Sequence, residues 1–462
     1  SETAEDKQNM EQRIVTKPSF YTNIMLLSIP IILQQFLRVS VDLCDSIMLG
    51  RIDQVQMAAV SQAQQIFFVF YTVCNGFAVG CSVLIAQYWG LQRKEEIKTL
   101  FAIGSRIIAV FAIIISAIVL IRPDQVMRIY SSDPEVIALG ASYLRIAAWM
   151  YTPCAVSSML FACCRGIEQM KISFAVNAVS YPINLILDYC MIFGKFGFPE
   201  LGIRGSAVGA VIARLIEFGI LLWFIIRKEK TLQMRLKDFL RKDWKLTKDF
   251  LKVGIPIVAH EMIWSAGTTA GSSITGQMST TIVAGYNVAN AMYQLMACTM
   301  NGILHACSVT IGKTIGSGAS REEIQREAYS LILIGLVGGS VLGMLTLLGG
   351  DLFISSYSLT DATRAFAKGF IAIFAAIWPF SGMEMTGMIA VLRAGGDGKT
   401  GFISDIFTMW IFTIPLAAAG AFMWGFSPYV IIGIIKFNIV LEALVGIWRI
   451  RSMKWIRNLT AA

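Results

Sequence analysis

Ionisable residues in the first long apolar segment are the residues of this sequence best placed to do chemistry. Arg38, Asp42 and Asp45 lie four and three residues apart, so a helix of 3.6 residues per turn places them on one stripe. Such a cluster can exchange a proton or Na⁺ for a cationic substrate, because burial and like charge make it costly for both acids to stay ionised. The alternative is a structural ion pair of Arg38 with Asp42, which leaves Asp45 near the outer aqueous side.

A second polar pair lies in the fifth apolar segment. Asn184 and Asp188 are four residues apart and therefore share one helix face. An amide oxygen beside a carboxylate is the type of ligand that hard cations such as Na⁺ prefer. The pair is predicted to bind the coupling cation, and the alternative is a hydrogen bond between helices.

The second half of the chain also carries acids in apolar segments. Glu261, which follows His260, and Glu384 are candidates for binding a cationic substrate or a proton. An ionised side chain at mid-membrane costs about 2.5–3.5 kcal/mol on insertion scales, so each such acid is expected to have a structural or functional role. A histidine next to an acid can tune it, although a lone histidine is more often a satisfied hydrogen-bonding group.

Three further acids in apolar segments have structural interpretations. Glu217 lies three residues after Arg214 and is expected to pair with it. Asp405 matches an asparagine in the first half of the chain and is interpreted as a packing group, and Glu442 is noted without an assigned role.

The elements that must position these residues are membrane-spanning helices. The chain of 462 residues is 56% hydrophobic and only 15% charged, with a mean hydropathy of +0.64, whereas soluble domains carry about 25% charged residues. Twelve apolar stretches are long enough to cross a bilayer, which takes about 20 helical residues. They lie near 22–48, 56–87, 99–121, 135–160, 172–194, 205–226, 250–274, 281–311, 328–350, 365–391, 402–424 and 427–448. The predicted fold is an all-α integral membrane protein with twelve transmembrane helices.

The two halves of the chain repeat each other. Segment 29–90 superposes on segment 255–316 without a gap, and this alignment matches Asn75-Gly76 with Asn301-Gly302. Two copies of six spans enter the membrane with the same orientation, which predicts two pseudo-symmetric six-helix bundles with substrate bound between them. Pro30 and Pro256 occupy matching places. A proline inside a helix removes one backbone hydrogen bond, so Pro30 is predicted to be a hinge, with a shared packing bend as the alternative.

The charge distribution predicts the topology and the domain boundaries. Most of the 39 Lys and Arg residues fall on one side of the predicted spans, and such residues accumulate in cytoplasmic loops. We therefore expect a cytoplasmic segment at 1–19, an N-lobe at 20–227, a basic cytoplasmic linker at 228–248, a C-lobe at 249–451 and a cytoplasmic tail at 452–462. The net charge of +9 reflects this topology, and nucleic acid is not an expected partner.

Chemistry other than transport has little support in the sequence. The nine cysteines are scattered and there are only two histidines, so neither a metal cofactor site nor a nucleophile motif is predicted. No ATP-binding motif is present, so active transport would draw on an ion gradient. The chain is predicted not to be an enzyme and to need no cofactor beyond H⁺ or Na⁺ as the coupling ion.

Several motifs resemble those of the MATE (multidrug and toxic compound extrusion) family. They are DSIMLGR at 45–51, AAV at 58–60, NLILD at 184–188, IFGK at 192–195 and LRAGGD at 392–397. The resemblance covers about residues 20–455 in order and at family spacing, and the combination is more specific than any one motif.

This resemblance implies an antiporter of twelve helices in two lobes around a central cavity. Such proteins export organic cations and other amphipathic compounds in exchange for H⁺ or Na⁺. Asp45 matches the family's first-helix carboxylate, and Asn184 and Asp188 match its N-lobe cation pair. Pro30 matches a first-helix proline that bends in some members.

The C-lobe departs from one branch of that family. That branch carries an acidic pair in the seventh and tenth helices. Glu261 lies about one turn before the expected glutamate, where this sequence has Trp264, and Glu384 lies near the tenth-helix aspartate position without matching it. The pattern around Glu261 is more similar to that of bacterial damage-inducible members.

The predicted function is secondary active export of cationic or amphipathic drugs and metabolites in exchange for H⁺ or Na⁺. The alternative is a flippase for lipid-linked precursors in the same superfamily, whose cavity is typically basic. A membrane-embedded enzyme and a passive channel are weaker alternatives. We expect a monomer in the plasma (inner) membrane of a bacterium, with both termini in the cytoplasm.

Overall fold

The structure is a computed structural model of the 462-residue chain. It describes residues 14–15, 17–49, 54–357 and 359–460. Most of the predicted N-terminal segment and the last two residues of the DSIMLGR motif lie outside the described residues.

Twelve long helices, numbered α1 to α12 in chain order, make up most of the described residues. They are α1 Pro18–Leu49, α2 Gln54–Gly90, α3 Lys94–Ile121, α4 Pro134–Gly166, α5 Met170–Phe193, α6 Ile203–Arg227, α7 Trp244–Gly276, α8 Thr280–Gly316, α9 Arg321–Ser355, α10 Asp361–Leu392, α11 Gly398–Phe422 and α12 Pro428–Arg451. A short helix, Pro123–Met127, and a 3-10 helix, Leu236–Leu240, lie in the connections. The described residues contain no strand, which confirms the predicted all-α fold class.

Eleven of these twelve helices are long and apolar enough to cross a membrane. The exception is α7, which has 33 residues and thus ample length. Its average hydropathy falls because His260 and Glu261 interrupt the apolar sequence and because residues 265–276 are rich in Gly, Ser and Thr. The seventh helix is therefore present where the sequence predicts it, but with a polar character.

Helix ends extend past the predicted spans. The span predicted at 328–350 belongs to α9, which begins at Arg321 and ends at Ser355. The Ser320 hydroxyl accepts a hydrogen bond from the Glu323 N–H at 3.2 Å, which satisfies one of the free N–H groups of the first turn. Hydropathy marks only the apolar part of a helix, and polar caps mark its true ends.

The described chain divides into two compact units. The N unit comprises Leu33–Ile85 and Arg93–Val258, and the C unit comprises the described residues up to Ile32, Ala86–Gln92 and the chain from Ala259 onward. Relative to the predicted lobes, the two units exchange the first parts of α1 and α7. In each of these helices, the boundary between the units lies two residues after a proline. The proline is Pro30 in α1 and Pro256 in α7.

Repeated glycines explain how these helix segments pack within each unit. In the N unit, a Cβ atom at Gly76 of α2 would lie 2.8 Å from the Cα atom of Val258 in α7. In the C unit, a Cβ atom at Gly302 of α8 would lie 3.0 Å from the carbonyl oxygen of Ser28 in α1 and would overlap Ile32. Gly76 and Gly302 are equivalent in the repeat, and each lets a backbone approach closely.

Small residues also hold α9 against α10 within the C unit. Gly335, Gly339 and Gly343 recur every four residues on one face of α9. A Cβ atom at any of them would overlap the backbone of α10, at Gly382 for Gly335 and at the Trp378 carbonyl oxygen for Gly339. This spacing of small residues is the usual way that helices pack closely in a membrane.

The linker between α6 and α7 is folded onto the N unit. The Glu229 carboxylate accepts hydrogen bonds from the N–H groups of Thr231 and Leu232, both at 2.7 Å. Further along, Arg241 donates to Asp238 at 2.8 Å and to Glu95 of α3 at 2.5 Å. Arg241, a basic residue of this segment, therefore forms specific contacts with two acids.

Candidate functional site: two buried acid clusters

The N unit brings the predicted residues of α1 and α5 together. The Asn184 amide donates a hydrogen bond to Asp188 Oδ2 at 3.0 Å, one turn along α5. Asp188 is only 2% exposed. A Cβ atom at Gly209 of α6 would overlap Asp188 Oδ1, so a glycine at this place creates the room for the carboxylate.

Asp45 of α1 and Asp188 face each other. Their side chains are close enough to hydrogen-bond, yet the Oδ1 atom of each accepts no hydrogen bond from any described group. Two carboxyl groups form a hydrogen bond only when one of them carries a proton. A proton or another small cation placed between the two acids would satisfy these oxygen atoms.

No basic residue of the described chain forms an ion pair with Asp45 or Asp188. The nearby cation Arg214 is paired with Glu217 at 2.6 Å and stacks on the Tyr181 ring at 5.5 Å. The ion pair predicted for Arg214 and Glu217 is thus present. Because Arg214 is already matched, the two acids keep a net negative charge when both are ionised.

Asp42 lies outside this contact. It pairs with Arg38 at 3.5 Å, and both side chains are at least half exposed. Arg38 also donates to the Gln35 side chain at 3.1 Å. The geometry matches the structural ion pair that the spacing offered as an alternative, and a role for Asp42 in cation coupling stays a prediction.

In the C unit, Glu261 of α7 is bound to a cation. Arg393, directly after α10, lies 2.7 Å from the Glu261 carboxylate, and both side chains are largely buried. The same guanidinium approaches Nδ1 of His260 at 2.7 Å. The sequence offered His260 as a group that could tune Glu261 directly, whereas in the structure Arg393 contacts both side chains.

The other face of His260 contacts α11. Its Nε2 atom lies 2.9 Å from Asp405 Oδ2. A Cβ atom at Gly401 would lie 2.8 Å from the imidazole ring, so this glycine makes room for it. Glu384 of α10 interacts electrostatically with Asp405 and forms no ion pair among the described residues.

One group of polar side chains in the C unit, formed by Asp405, Asn438 and Glu442, was not predicted from the sequence. Asp405, interpreted there as a packing group, approaches Glu442 of α12, and Glu442 accepts a hydrogen bond from the Asn438 amide at 3.0 Å. Asn438 and Glu442 have the four-residue spacing of Asn184 and Asp188. That spacing was the signal that could have found them.

Lys436 of α12 is an inward-facing cation held by aromatic rings. Its ammonium group lies 4.8 Å from the centre of the Tyr293 ring and 5.0 Å from that of Phe374. Cation–π contacts of this kind stabilise a desolvated charge by about 2 kcal/mol. No ion pair with an acid is formed by Lys436 among the described residues.

Twelve helices of membrane length, in two units that each hold buried acids, define a polytopic helical membrane protein of the transporter type. A sequence model of the MatE family matches the chain twice, over residues 30–190 and 256–419. The chain belongs to this family. The two matches begin at residues 30 and 256, which are equivalent positions of the internal repeat.

Known relatives agree with this assignment. A probable multidrug resistance protein NorM of Rhizobium meliloti (strain 1021) is 26% identical over 433 residues, covering 88% of this chain and 90% of the relative. A multidrug resistance protein MdtK of Yersinia pestis (strain Pestoides F) is 22% identical over 411 residues, covering 88% of each chain. A crystal structure of MATE in complex with MaL6 is similar with a TM-score of 0.84 at 18% identity, covering 94% of this chain and 96% of that one. MATE structures have twelve helices, so the predicted fold class is confirmed.

Proposed function

We propose that this protein exports cationic or amphipathic drugs and metabolites in exchange for H⁺ or Na⁺, by rocking of its two lobes around a central cavity. The observation that supports it most is the contact of Asp45 with Asp188. Both acids lie in membrane-spanning helices and form no ion pair with a basic residue among the described residues, and Asn184 donates a hydrogen bond to Asp188. Unpaired acids inside membrane-spanning helices are typical of sites that bind and release a proton or another cation.

The relatives support the substrate class. Two relatives that match about nine tenths of the chain are called multidrug resistance proteins, and export of drugs is the activity those words describe. A net negative charge on the Asp45–Asp188 pair favours cationic cargo over the pyrophosphate of a lipid-linked precursor, because opposite charges attract most strongly in a low dielectric.

One coupling ion supplies enough energy for export. Moving one elementary charge through 100 mV releases about 2.3 kcal/mol, and each 1.4 kcal/mol is a factor of ten in concentration. For a neutral substrate, a single ion therefore drives a gradient of about fifty-fold. One-for-one exchange with a singly charged cation moves no net charge, so that transport relies on the concentration gradient of the ion bound at Asp45 and Asp188.

The geometry favours a proton as the coupling ion. Two carboxyl groups in direct contact need one proton between them, whereas Na⁺ needs several oxygen ligands around it. Na⁺ held by Asp45, Asn184 and Asp188 is the second hypothesis for this site.

Transport by purified protein in vesicles tests the proposal. Ethidium or norfloxacin uptake is measured under an imposed proton gradient and, separately, under an imposed Na⁺ gradient. We expect Asp45→Asn and Asp188→Asn each to reduce gradient-driven transport at least tenfold while the protein stays folded. Asp351→Asn is the matched control, because Asp351 is an exposed acid at the end of α9 that pairs with Lys368.

Two results would contradict the proposal. Exchange at the wild-type rate in both variants would remove the coupling role of the pair. Transport of a lipid-linked sugar, with no drug transport under either gradient, would favour the flippase. The gradient that drives uptake identifies the coupling ion.

The remaining features of the proposal concern location. We place the protein in the inner membrane of a bacterium, with both termini and the linker in the cytoplasm, since the basic residues concentrate on that side. We further propose that it works as a monomer and binds no nucleic acid.

A further inference from the structure

The buried acids of α11 and α12 form a group that the proposed function does not use. Asp405 is fully buried, and Glu442 and Asn438 are 3% and 5% exposed. Glu442 Oε1 accepts hydrogen bonds from the Asn438 amide at 3.0 Å and from the Thr408 hydroxyl at 3.3 Å. The carboxyl group of Asp405 lies beside that of Glu442.

This group has the same chemistry as the N-unit site. In both, an asparagine donates to an acid one turn later on the same helix, and a second acid approaches from another helix. The group is not the repeat equivalent of the N-unit site. An alignment of the halves that matches Arg165 with Arg393 places Phe412 and Leu416 opposite Asn184 and Asp188. The resemblance therefore lies in the arrangement of groups and not in equivalent positions.

Asp405 lacks the donors that a buried carboxylate needs. Neither of its oxygens accepts a hydrogen bond from any described group, and the contact with His260 at 2.9 Å does not have hydrogen-bond geometry. Leaving an ionised carboxylate buried in this way is costly. A proton bound between Asp405 and Glu442 would supply the missing donor.

The charged residues around this group also indicate that it binds positive charge. The ionisable groups that face it are His260 and Glu261 of α7, Glu384 of α10, and Arg393 directly after α10. Arg393 is matched by Glu261. Glu384, Asp405 and Glu442 are then left without a permanent cation, since Lys436 of α12 is directed to the aromatic rings. Three ionised acids cannot stay together in a buried space without binding positive charge.

The backbone is irregular at two of these acids. Glu384 directly precedes a π-helical segment, Met385–Leu392, and Asp405 directly precedes another, Ile406–Thr413. Short π-helical segments inside α-helices occur frequently at functional sites. Both helices thus depart from regular geometry where they present an acid to the cluster.

We propose that Asp405 and Glu442 form a second proton-binding site, located in the C unit and independent of the Asp45–Asp188 pair. A proton fits this pair, because two neighbouring carboxyl groups form a hydrogen bond only when one of them is protonated. Proton binding at this site does not require export. A consequence that does rest on the proposed function is that each transport cycle can move two protons.

Infrared spectroscopy of the purified full-length protein tests the site directly. The carbonyl stretch of a protonated carboxyl group disappears when that group is changed to an amide. We expect Asp45→Asn/Asp188→Asn to retain a protonated-carboxyl band, and we expect Glu442→Gln in that background to remove a component equal to about one group. Glu384→Gln is the matched control, because it removes a buried acid of the same cluster outside the pair.

The variants are chosen to keep the fold. A glutamine at 442 still offers a carbonyl oxygen to Asn438 and Thr408, and Asp405→Asn provides a second, independent change whose thermal unfolding is compared with that of the parent. A band that is already absent in the Asp45→Asn/Asp188→Asn parent would overturn the proposal. A band that survives both Glu442→Gln and Asp405→Asn, or that only Glu384→Gln removes, would overturn it as well.

The proposed function and the second site fail in different ways. Wild-type protein that transports no drug under any gradient would remove the export proposal, while the carboxyl band would still decide the C-unit site. Conversely, absence of the C-unit band from the Asp45→Asn/Asp188→Asn variant would remove the second site, while gradient-driven export by the wild-type protein would still support the proposed function.

Discussion

Gly209 determines whether Asp188 can occupy its place in the N unit. The Asp188 carboxylate lies where a side chain at position 209 would otherwise be. The two helices α5 and α6 therefore approach closely at this acid, and the carboxylate is shielded from water by a neighbouring backbone.

A single methyl group at this position should disturb the site. We expect Gly209→Ala to displace Asp188 from Asp45 and to reduce gradient-driven transport at least tenfold, measured in vesicles. Gly219→Ala, on the same helix, is the control, because a Cβ atom there meets nothing within 4 Å. Equal transport by the two variants would show that the position of Asp188 is not critical.

The candidate site was only partly predictable at the residue scale. The contact of Asn184 with Asp188 follows from a spacing of four residues on a helix, and the sequence predicted it. The contact of Asp45 with Asp188 joins two helices far apart in the chain, so spacing alone could not reveal it. The pairing of Glu261 with Arg393 was missed for the same reason.

At the scale of single helices, the packing of α9 against α10 depends on the glycines that line one face of α9. Gly339 meets the Trp378 backbone, whereas a Cβ atom at the adjacent Gly338 lies 3.4 Å from the Met300 sulfur, which is an ordinary contact. We expect Gly339→Ala to destabilise the protein by about 1–3 kcal/mol through overpacking. Gly338→Ala should be neutral or stabilising, because alanine favours helix by about 1 kcal/mol over glycine.

Thermal unfolding in detergent measures this difference. The two variants place the same added methyl group on neighbouring residues, so effects of composition cancel. A lower unfolding temperature for Gly338→Ala than for Gly339→Ala would contradict the packing of these helices.

The linker should lose order in acid. Burial opposes ionisation of Asp238, but hydrogen bonds from the Arg235 N–H and the Arg241 side chain outweigh it and hold the pKa of Asp238 below its usual value of 3.8. A depressed pKa contributes stability that is full above the unfolded value and is lost as the pH falls through the folded value.

Hydrogen exchange across residues 236–241 checks this expectation. We expect protection at neutral pH and its loss below about pH 4, with Asp238→Asn showing weak protection at both. Protection in the variant equal to that of the wild type at neutral pH would remove the role of Asp238.

Helices were easier to predict than their local geometry. Apolar stretches of the sequence located all twelve helices, although α7 is less apolar than the other eleven. Their polar ends extended further because capping satisfies the terminal N–H groups. The π-helical segments of α10 and α11 were not predicted. They depend on how neighbouring helices pack, which no local pattern records.

At the scale of the whole molecule, we expect hinges at the two prolines that precede the unit boundaries. Both α1 and α7 change units two residues after a proline. We expect Pro30→Ala and Pro256→Ala to slow transport several-fold while leaving the affinity for ethidium unchanged, because a restored backbone hydrogen bond stiffens the helix.

Binding and transport are measured on the same preparations for this test. Pro153→Ala is the control, since Pro153 lies inside α4 and within the N unit alone. A loss of affinity that equals the loss of rate, or an equal effect of Pro153→Ala, would argue against hinges at these places.

The repeat was predictable at the scale of the molecule, but its packing was not. The gapless match of 29–90 with 255–316 shows that two halves share one ancestral pattern. The match does not show that Val258 packs against Gly76 or that Ser28 packs against Gly302, because sequence self-similarity does not reveal contacts between helices.

The crossing of α1 and α7 between units makes the two halves of the gene interdependent. A polypeptide that stopped at Arg227 would lack the stretch 244–258, against which Gly76 and Gly80 pack. A fragment that began at Trp244 would lack the stretch 18–32, which Gly302 contacts. Neither fragment contains all the residues of one unit, so we expect each half of the gene to need the other for its product to fold.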